Sequence, residues 1–368
     1  MRKIRLSVKE KLRSLDPIVF FSSLLISCMS LLTLFGARDV VGIKPLIIQG
    51  GAVVLGILCV MLISAMNYEE TVERLSLVFF IVSIVLLLTV LVFGSAEGSN
   101  KAYLRIPGIP IGIQPSEFVK LFLIISFSRH LDLVHDNINK IKNVLMLALH
   151  AGIITGLVLA EGDLGSALVY FFFLCVMLFT AGLSAWYFAG VGLAILAASP
   201  FLWEHLKEYQ KIRILVGFNP ELVPLDIGYQ PLMSRSAIAA GGMFGRGLFG
   251  GSVYKLVPFC YTDFIFCIVG EKFGMVGILF LFALLVALIV RILILAARSN
   301  RRYGSYICVG IAAVLIAQAV ENVGMCMACL PVIGITLPLM SYGGSSVLST
   351  YLMLGVVQSI ASSQRKKF

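Results

Sequence analysis

The feature that most restricts this chain is a succession of apolar runs, each close to the length needed to cross a bilayer. They begin near Pro17, Pro45, Val72, Gln114, Asn143, Leu164, Ala185, Phe264, Ser305 and Gly344. A spanning helix needs about 20 predominantly apolar residues, so the pattern predicts an all-α polytopic integral membrane protein with about ten transmembrane helices. A soluble fold has no use for a chain that is 59% hydrophobic and only 13% charged. Trp186 and Trp203 stand at opposite ends of one run, where interfacial anchors belong.

Basic residues set the expected orientation. The N-terminal tail, the connections near Arg74, Arg129–Lys142 and Arg291–Arg302, and the tail Arg365–Lys367 together hold 17 Lys and Arg. The short connections on the other side, Ala37–Lys44 and Ser95–Ile113, hold four. The positive-inside rule then places both termini in the cytoplasm. Residues 1–16 read as a basic cytoplasmic tail; the apolar run behind them spans and lacks a convincing cleavage site. The net charge of +10 reports this topology and contact with anionic lipid rather than nucleic acid. Of eight cysteines, Cys326 and Cys329 have CxxC spacing but no second pair or histidine cluster, so neither a disulfide framework nor a zinc site is expected.

One connection stands apart. Residues 204–263 form a long extracellular loop before the eighth predicted helix, within what reads as a single membrane domain over residues 1–368. Connections of that length are commonly functional. It carries a glycine cluster, Gly241 to Gly251, which lacks the GKS or GKT of a phosphate loop. It ends at Asp263, where polar chain meets apolar run, and Glu271 and Lys272 follow two turns inside. Charges at membrane depth cost roughly 2.5–3.5 kcal/mol each, so they call for a cavity or a partner. For Asp263 two readings stand: a helix N-cap, shared with Thr262, or a reactive carboxylate. Glu117 and Lys120 share a helix face, either as a local ion pair or as the wall of a cavity. Glu161 and Asp163 occupy a break between two apolar runs. His150, alone in its run, reads as a helix-packing group. Asn322 to Ser346, with two prolines and a polar SYGGSS, predicts irregular backbone, which at membrane depth must be buried or line a cavity.

Seven stretches in order resemble the SEDS family, the RodA/FtsW/SpoVE-like bacterial peptidoglycan glycosyltransferases. They are QPSEFVK (Gln114–Lys120), EGDLGSALV (Glu161–Val169), Arg213-Ile214 with Phe218, Pro220 and Gly228–Gln230, GGMFGRGL (Gly241–Leu248), TDFIF with Gly270-Glu271 and Gly274, the Asn322–Pro338 motif, and SYGGSS (Ser341–Ser346). Departures are Tyr103 for a usual Trp, Gly162 for a usual Pro, Phe259 and Tyr261 for a usual Glu and His, and Ala328 for a usual Gly. The resemblance implies a polymerase of glycan strands in the bacterial plasma membrane, using lipid II on the outer face and paired with a class B penicillin-binding protein. It implies Asp263 as the catalytic residue, with Glu117, Lys120, Asp163, Arg213, Gln230, Arg246, Lys255, Ser341 and Ser345 as substrate-binding candidates. A carboxylate can take the proton of an attacking sugar hydroxyl. Cations such as Arg213, Arg246, Lys255 or Lys120, or a Mg²⁺ or Mn²⁺ ion without a dedicated cage, would meet the leaving diphosphate. A lipid II flippase and a non-catalytic scaffold for the partner are the rival readings.

Overall fold

The structure, a computed structural model, describes residues 15–97, 100–105, 112–205 and 208–364. Most of the predicted basic tail lies outside them. The first half of the chain forms α1 (Pro17–Gly36), the short α2 (Arg38–Val41), α3 (Ile43–Ala65), α4 (Tyr68–Phe93), α5 (Pro115–Val134), α6 (Ile141–Ala160) and α7 (Leu164–Thr180). Then come α8 (Ala185–His205), α9 (Glu208–Phe218), α10 (Tyr229–Gly241), α11 (Ile265–Ala297), α12 (Arg302–Cys326) and α13 (Gly344–Gln364). Among the described residues seven helices (α1, α3, α4, α6, α11, α12 and α13) have the length and composition to cross a membrane. The shorter apolar α7 and α8, and α5 with its charges, occupy the other predicted positions. Between α4 and α5 the expected plain connection holds a small antiparallel sheet, ordered β1 (Ser95–Glu97), β2 (Asn100–Arg105), β3 (Gly112–Ile113).

Long-range hydrogen bonds sort the helix ends into two faces. On one, Asp16 N donates to Gln358 at 2.7 Å, Ser359 Oγ to Met66 O at 2.8 Å and Gln364 Nε2 to Leu295 O at 2.8 Å. On the other, Gln114 N donates to Ser345 Oγ at 3.2 Å and Tyr342 N to Tyr261 O at 3.0 Å. The interior helix is α13, with 78% of its apolar window buried against 17% for α4 and α6. The outer helices present their apolar residues to lipid, which needs no further explanation in a membrane protein.

Helix α11 is broken. Gly274 has φ 63° and ψ −163°, a combination open to glycine and closed to L side chains. The interruption frees backbone groups that hydrocarbon cannot satisfy. The glycine cluster satisfies them instead: Arg246 N donates to Glu271 O at 2.8 Å, Gly247 N to Lys272 O at 3.1 Å, Met275 N to Gly242 O at 2.9 Å and Val276 N to Met243 O at 3.1 Å. The chains run too close for side chains, since a Cβ at Gly245 would sit 2.2 Å from Lys272 O.

The two charges beside the break are spent on the same clasp. Glu271 accepts from the amides of Ser252, Val253 and Tyr254 at 2.8, 3.0 and 2.6 Å. Lys272 Nζ donates to Leu248 O at 2.9 Å and Gly250 O at 3.2 Å, over the Tyr254 ring at 4.6 Å. Each buried charge meets several partners, the condition under which such groups are tolerated.

Candidate functional site

On the face that carries the N-termini of α5, α7, α11 and α13, the irregular stretch 331–341 is the hub. Gly165 at the start of α7 packs on it, so that a Cβ there would meet Ile333 O at 2.6 Å. Gly217 of α9 packs on Pro331 in the same way. Thr336 Oγ1 lies 2.8 Å from Ser346 Oγ on α13. Gly334, at φ +72°, faces Asp263, whose Oδ2 would be 3.5 Å from a Cβ at that position.

Asp263 does not cap α11. The helix begins at Ile265 with Phe264 at the N-cap and no side-chain capping bond, while Thr262 Oγ1 donates backward to Phe259 O at 3.1 Å. The backbone of Asp263 is held instead: Asn322 Nδ2 donates to Asp263 O and to Ile335 O, both at 2.7 Å. Cys326 Sγ approaches the same Asp263 carbonyl at 3.7 Å. Among the described residues no group donates a hydrogen bond to the Asp263 carboxylate, and burial pushes it up to about 6 from its ordinary 3.8. Three non-glycine residues with left-handed backbone lie in the segments around it, Phe259 (φ 56°), Ala328 (φ 61°) and Leu339 (φ 60°). Such conformations persist only where surrounding structure imposes them, and they gather at functional sites.

The other predicted residues divide into several groups. Asp163 is the N-cap of α7, accepting from Ser166 N at 2.9 Å and Ser166 Oγ at 2.7 Å; Gln114 Nε2 adds a third bond at 3.0 Å. Ser345 Oγ accepts from Gln114 N, so Asp163, Gln114 and Ser345 form one chain beside the hub. Gln230 lines a cavity of about 420 Å³ with Asp226, Tyr229, Pro258 and Val332, the last two adjoining the Asp263 turn and the hub. Ser341 is buried and accepts from Leu337 N at 2.9 Å, closing the hub's own turn.

Three of the candidate cations, Lys120, Lys255 and Arg246, are engaged elsewhere. Lys120 Nζ bonds Glu117 Oε1 at 2.6 Å, with both side chains buried, and Ser349 Oγ of α13 donates to Glu117 Oε2 at 3.1 Å. Lys255 pairs with Asp39, whose carboxyl it holds below the ordinary carboxylate range. Arg246 is exposed and donates from Nε to Ala240 O at 2.7 Å. Arg213 belongs to α9, and its side chain lies outside the described residues.

Glu161 shares the isolation of Asp263. It is 3% exposed, and among the described residues neither carboxylate oxygen has a hydrogen-bond partner. Burial first, and the charge of Asp163 second, push it up to about 8 from 4.5. His150 is not alone: Ser126 Oγ is 3.2 Å from its Nε2, and His130 Nδ1 is 3.0 Å from its Nδ1. The residues that sequence reasoning left out of the site are Asn322, Gly334 and Thr336. Their signal was the irregular Asn322–Pro338 motif, which marked the stretch without saying which residue reaches Asp263.

Fold and site together define a multi-pass membrane protein with an unpartnered carboxylate at one membrane boundary. The chain matches, over residues 14–366, the family described as "Cell cycle protein" (FtsW/RodA/SpoVE), and it belongs to that family. It is 34% identical over 316 residues to the peptidoglycan glycosyltransferase MrdB of Escherichia coli K12, covering 84% of each chain. It is 37% identical over 290 residues to a probable peptidoglycan glycosyltransferase FtsW of Coxiella burnetii, covering 77% of each. Among solved structures, a chain from a peptidoglycan synthase complex that coordinates polymerization and crosslinking superposes with a TM-score of 0.83 at 29% identity, covering 95% of this chain and 98% of that one. The rod shape determining protein RodA of Thermus thermophilus gives 0.73 at 27% identity, covering 95% and 97%.

Proposed function

We propose that this chain is a peptidoglycan glycosyltransferase that extends glycan strands from lipid II, with Asp263 as general base. The observation that carries the reading is the Asp263 carboxylate itself: backbone clamped by Asn322, side chain without a donor among the described residues, affinity for protons raised by burial. A general base works best when its pKa lies near the operating pH. In the reaction a sugar hydroxyl oxygen of one lipid-linked glycan attacks the anomeric carbon of another, and its proton passes to Asp263. The bond from that carbon to the diphosphate oxygen breaks, and the lipid diphosphate leaves with the electron pair.

The leaving diphosphate needs positive charge. Lys255 and Arg246, on the loop that ends at Asp263, are the candidates nearest in the chain, with Arg213 further back on α9. Lys120 would have to leave Glu117 to take part. A Mg²⁺ or Mn²⁺ ion fits only as one carried largely by the diphosphate, because among the described residues no group of three or more His, Cys, Asp or Glu is placed to hold a metal. The cavity at Gln230 and the chain Asp163–Gln114–Ser345 flank the hub as candidate sugar and peptide contacts. The site face is read as extracellular, with cytoplasmic termini, from the distribution of basic residues. A class B penicillin-binding protein is the partner this reading calls for, since a peptidoglycan synthase complex is among the folds most like this one.

The test is to incubate purified protein with labelled lipid II, with and without that partner. Wild type should yield glycan polymer, and Asp263→Asn should polymerise roughly 10²-fold more slowly or worse while keeping its expression and partner binding. An Asn variant as active as wild type would remove the base assignment. Failure of wild type to make polymer would favour the flippase or scaffold reading.

A further inference from the structure

The half of the bundle away from Asp263 holds a second groove. It lies between α4, α5 and α6 and has a volume of about 380 Å³, within the range of small-molecule sites. Its wall is apolar, with Leu77, Phe80, Leu133, Met146 and Leu149. Leu133 and Leu149 are 67% and 64% exposed on the lipid-facing surface, so the groove opens toward lipid. Into this wall are set Ser126, Arg129, His130 and His150. His130 lies four residues before the end of α5, about 6 Å in from it, and His150 lies about 13 Å in from the start of α6.

The imidazoles form a directed chain. Their Nδ1 atoms are 3.0 Å apart, so one must donate and the other accept. Ser126 has one hydroxyl proton and two acceptors in reach, Leu123 O and His150 Nε2, both at 3.2 Å. When Ser126 donates to His150 Nε2, His150 Nδ1–H donates to His130 Nδ1. The His130 ring then carries its proton on Nε2, the nitrogen with no partner among the described residues. In that state the neutral pair offers an outward donor to an anion. When Ser126 turns to Leu123 O the chain reverses and the outer nitrogen becomes an acceptor. A bound anion selects the first state.

Arg129, on the same wall, supplies a permanent charge. One of its nitrogens bonds Asp132 at 2.9 Å and its guanidinium lies 5.9 Å over the Tyr303 ring, which leaves further N–H donors. An apolar trough ending in Arg129 and the His130 Nε2–H matches one amphiphile, a phosphate monoanion on acyl chains.

We infer that this groove is a binding site for an anionic glycerophospholipid, its phosphate held by Arg129 and His130 and one acyl chain laid along Leu77, Phe80 and Leu149. The site is separate from the Asp263 face and stands whether or not the base assignment does.

Native mass spectrometry of the full chain, titrated in detergent with phosphatidylglycerol or with phosphatidylcholine of the same acyl chains, tests it. Wild type should retain phosphatidylglycerol in preference to phosphatidylcholine. The double variant Arg129→Gln/His130→Phe should lower phosphatidylglycerol retention roughly ten-fold and abolish its preference over phosphatidylcholine. Because His130 is partly buried, Leu149→Trp at an exposed position provides a second probe: filling the trough should lower retention of phosphatidylglycerol while the melting temperature holds. Equal phosphatidylglycerol retention by wild type and both variants overturns the site. Displacement of phosphatidylglycerol by equimolar undecaprenyl phosphate, sensitive to the same variants, overturns the assigned occupant in favour of an isoprenoid phosphate.

Discussion

Asp16 and Asp263 occupy similar sequence contexts, an acid one or two residues before a long apolar helix, and they are used in opposite ways. Asp16 caps α1 by accepting from Val19 N at 3.2 Å, and Arg291 of α11 grips both its oxygens, the closest at 2.6 Å. Among the described residues Asp263 caps nothing and its carboxylate has no donor, although its backbone is held as firmly. A fully bonded acid is a fastener. One whose main chain is fixed and whose side chain is idle stays available to a substrate. Adjacency to a helix start says nothing about which of these an acid is; only the partners brought from 59 or 275 residues away do.

The largest effect should fall on the most buried fastener. Glu117→Gln leaves the Lys120 ammonium, 1% exposed, without its counter-charge, and breaking such a pair costs about 3–5 kcal/mol. Interchanging the two residues keeps the pair and should recover most of that stability. A melting curve for Glu117→Gln close to wild type would mean that the pair is not a structural tie. Asp16→Asn should cost about 3 kcal/mol, with Arg291 losing its partner on the half-open face, yet lipid II polymerisation per folded molecule should persist. Loss of activity at full stability would mean that Asp16 is more than a fastener.

The unpartnered acids should respond with the opposite sign. Glu161 binds its proton more tightly in the folded chain, about 8 against 4.5, so its contribution to stability is intact below pH 4.5 and is lost as pH rises to 8. Glu161→Gln should therefore melt like wild type at pH 4.5 and be more stable, on the order of 3 kcal/mol, above pH 8. Asp263→Asn should follow the same rule in a lower window, between pH 3.8 and about 6, with a gain of up to about 3 kcal/mol. That variant would then be the more stable and the less active protein, the usual signature of a site whose strain serves function. Parallel melting of either variant and wild type at all pH values would show that the acid is solvated.

Much of the architecture was legible because hydrocarbon imposes a single, long-range rule on composition. Starts at Pro17, Leu164, Ala185 and Gly344 coincide with the expected positions. That at Tyr68 comes four residues before the apolar run at Val72, because Glu69 and Glu70 favour the positive end of a helix without being hydrophobic. The strands between α4 and α5 were missed, being short and set in a segment read only for its charges. Within the site, sequence marked the motifs but not their joins. That Asn322 holds Asp263, that Gly334 leaves room for its carboxylate, and that of the neighbours Glu161 and Asp163 only Asp163 finds hydrogen-bond partners among the described residues are products of tertiary contact, for which local pattern carries no signal.

The break at Gly274 has a mechanical consequence. The ends of α11 are tied level with those of α13, through Tyr261–Tyr342 on one face and Leu295–Gln364 on the other, yet α11 has 33 residues and α13 has 21. At 1.5 Å per residue the excess is about 18 Å of helix that cannot run along the shared direction and must be turned aside. Ile265–Phe273 is thus a lever about 13 Å long, pivoting on a glycine and carrying Asp263 beyond its tip. A change of 10° at such a pivot moves the tip by about 2 Å, enough to take a base out of hydrogen-bond reach. Two restraints stand against that swing, the glycine strand clasped across the pivot and the Asn322 amide at the far end. Loosening either displaces the carboxylate without touching its chemistry.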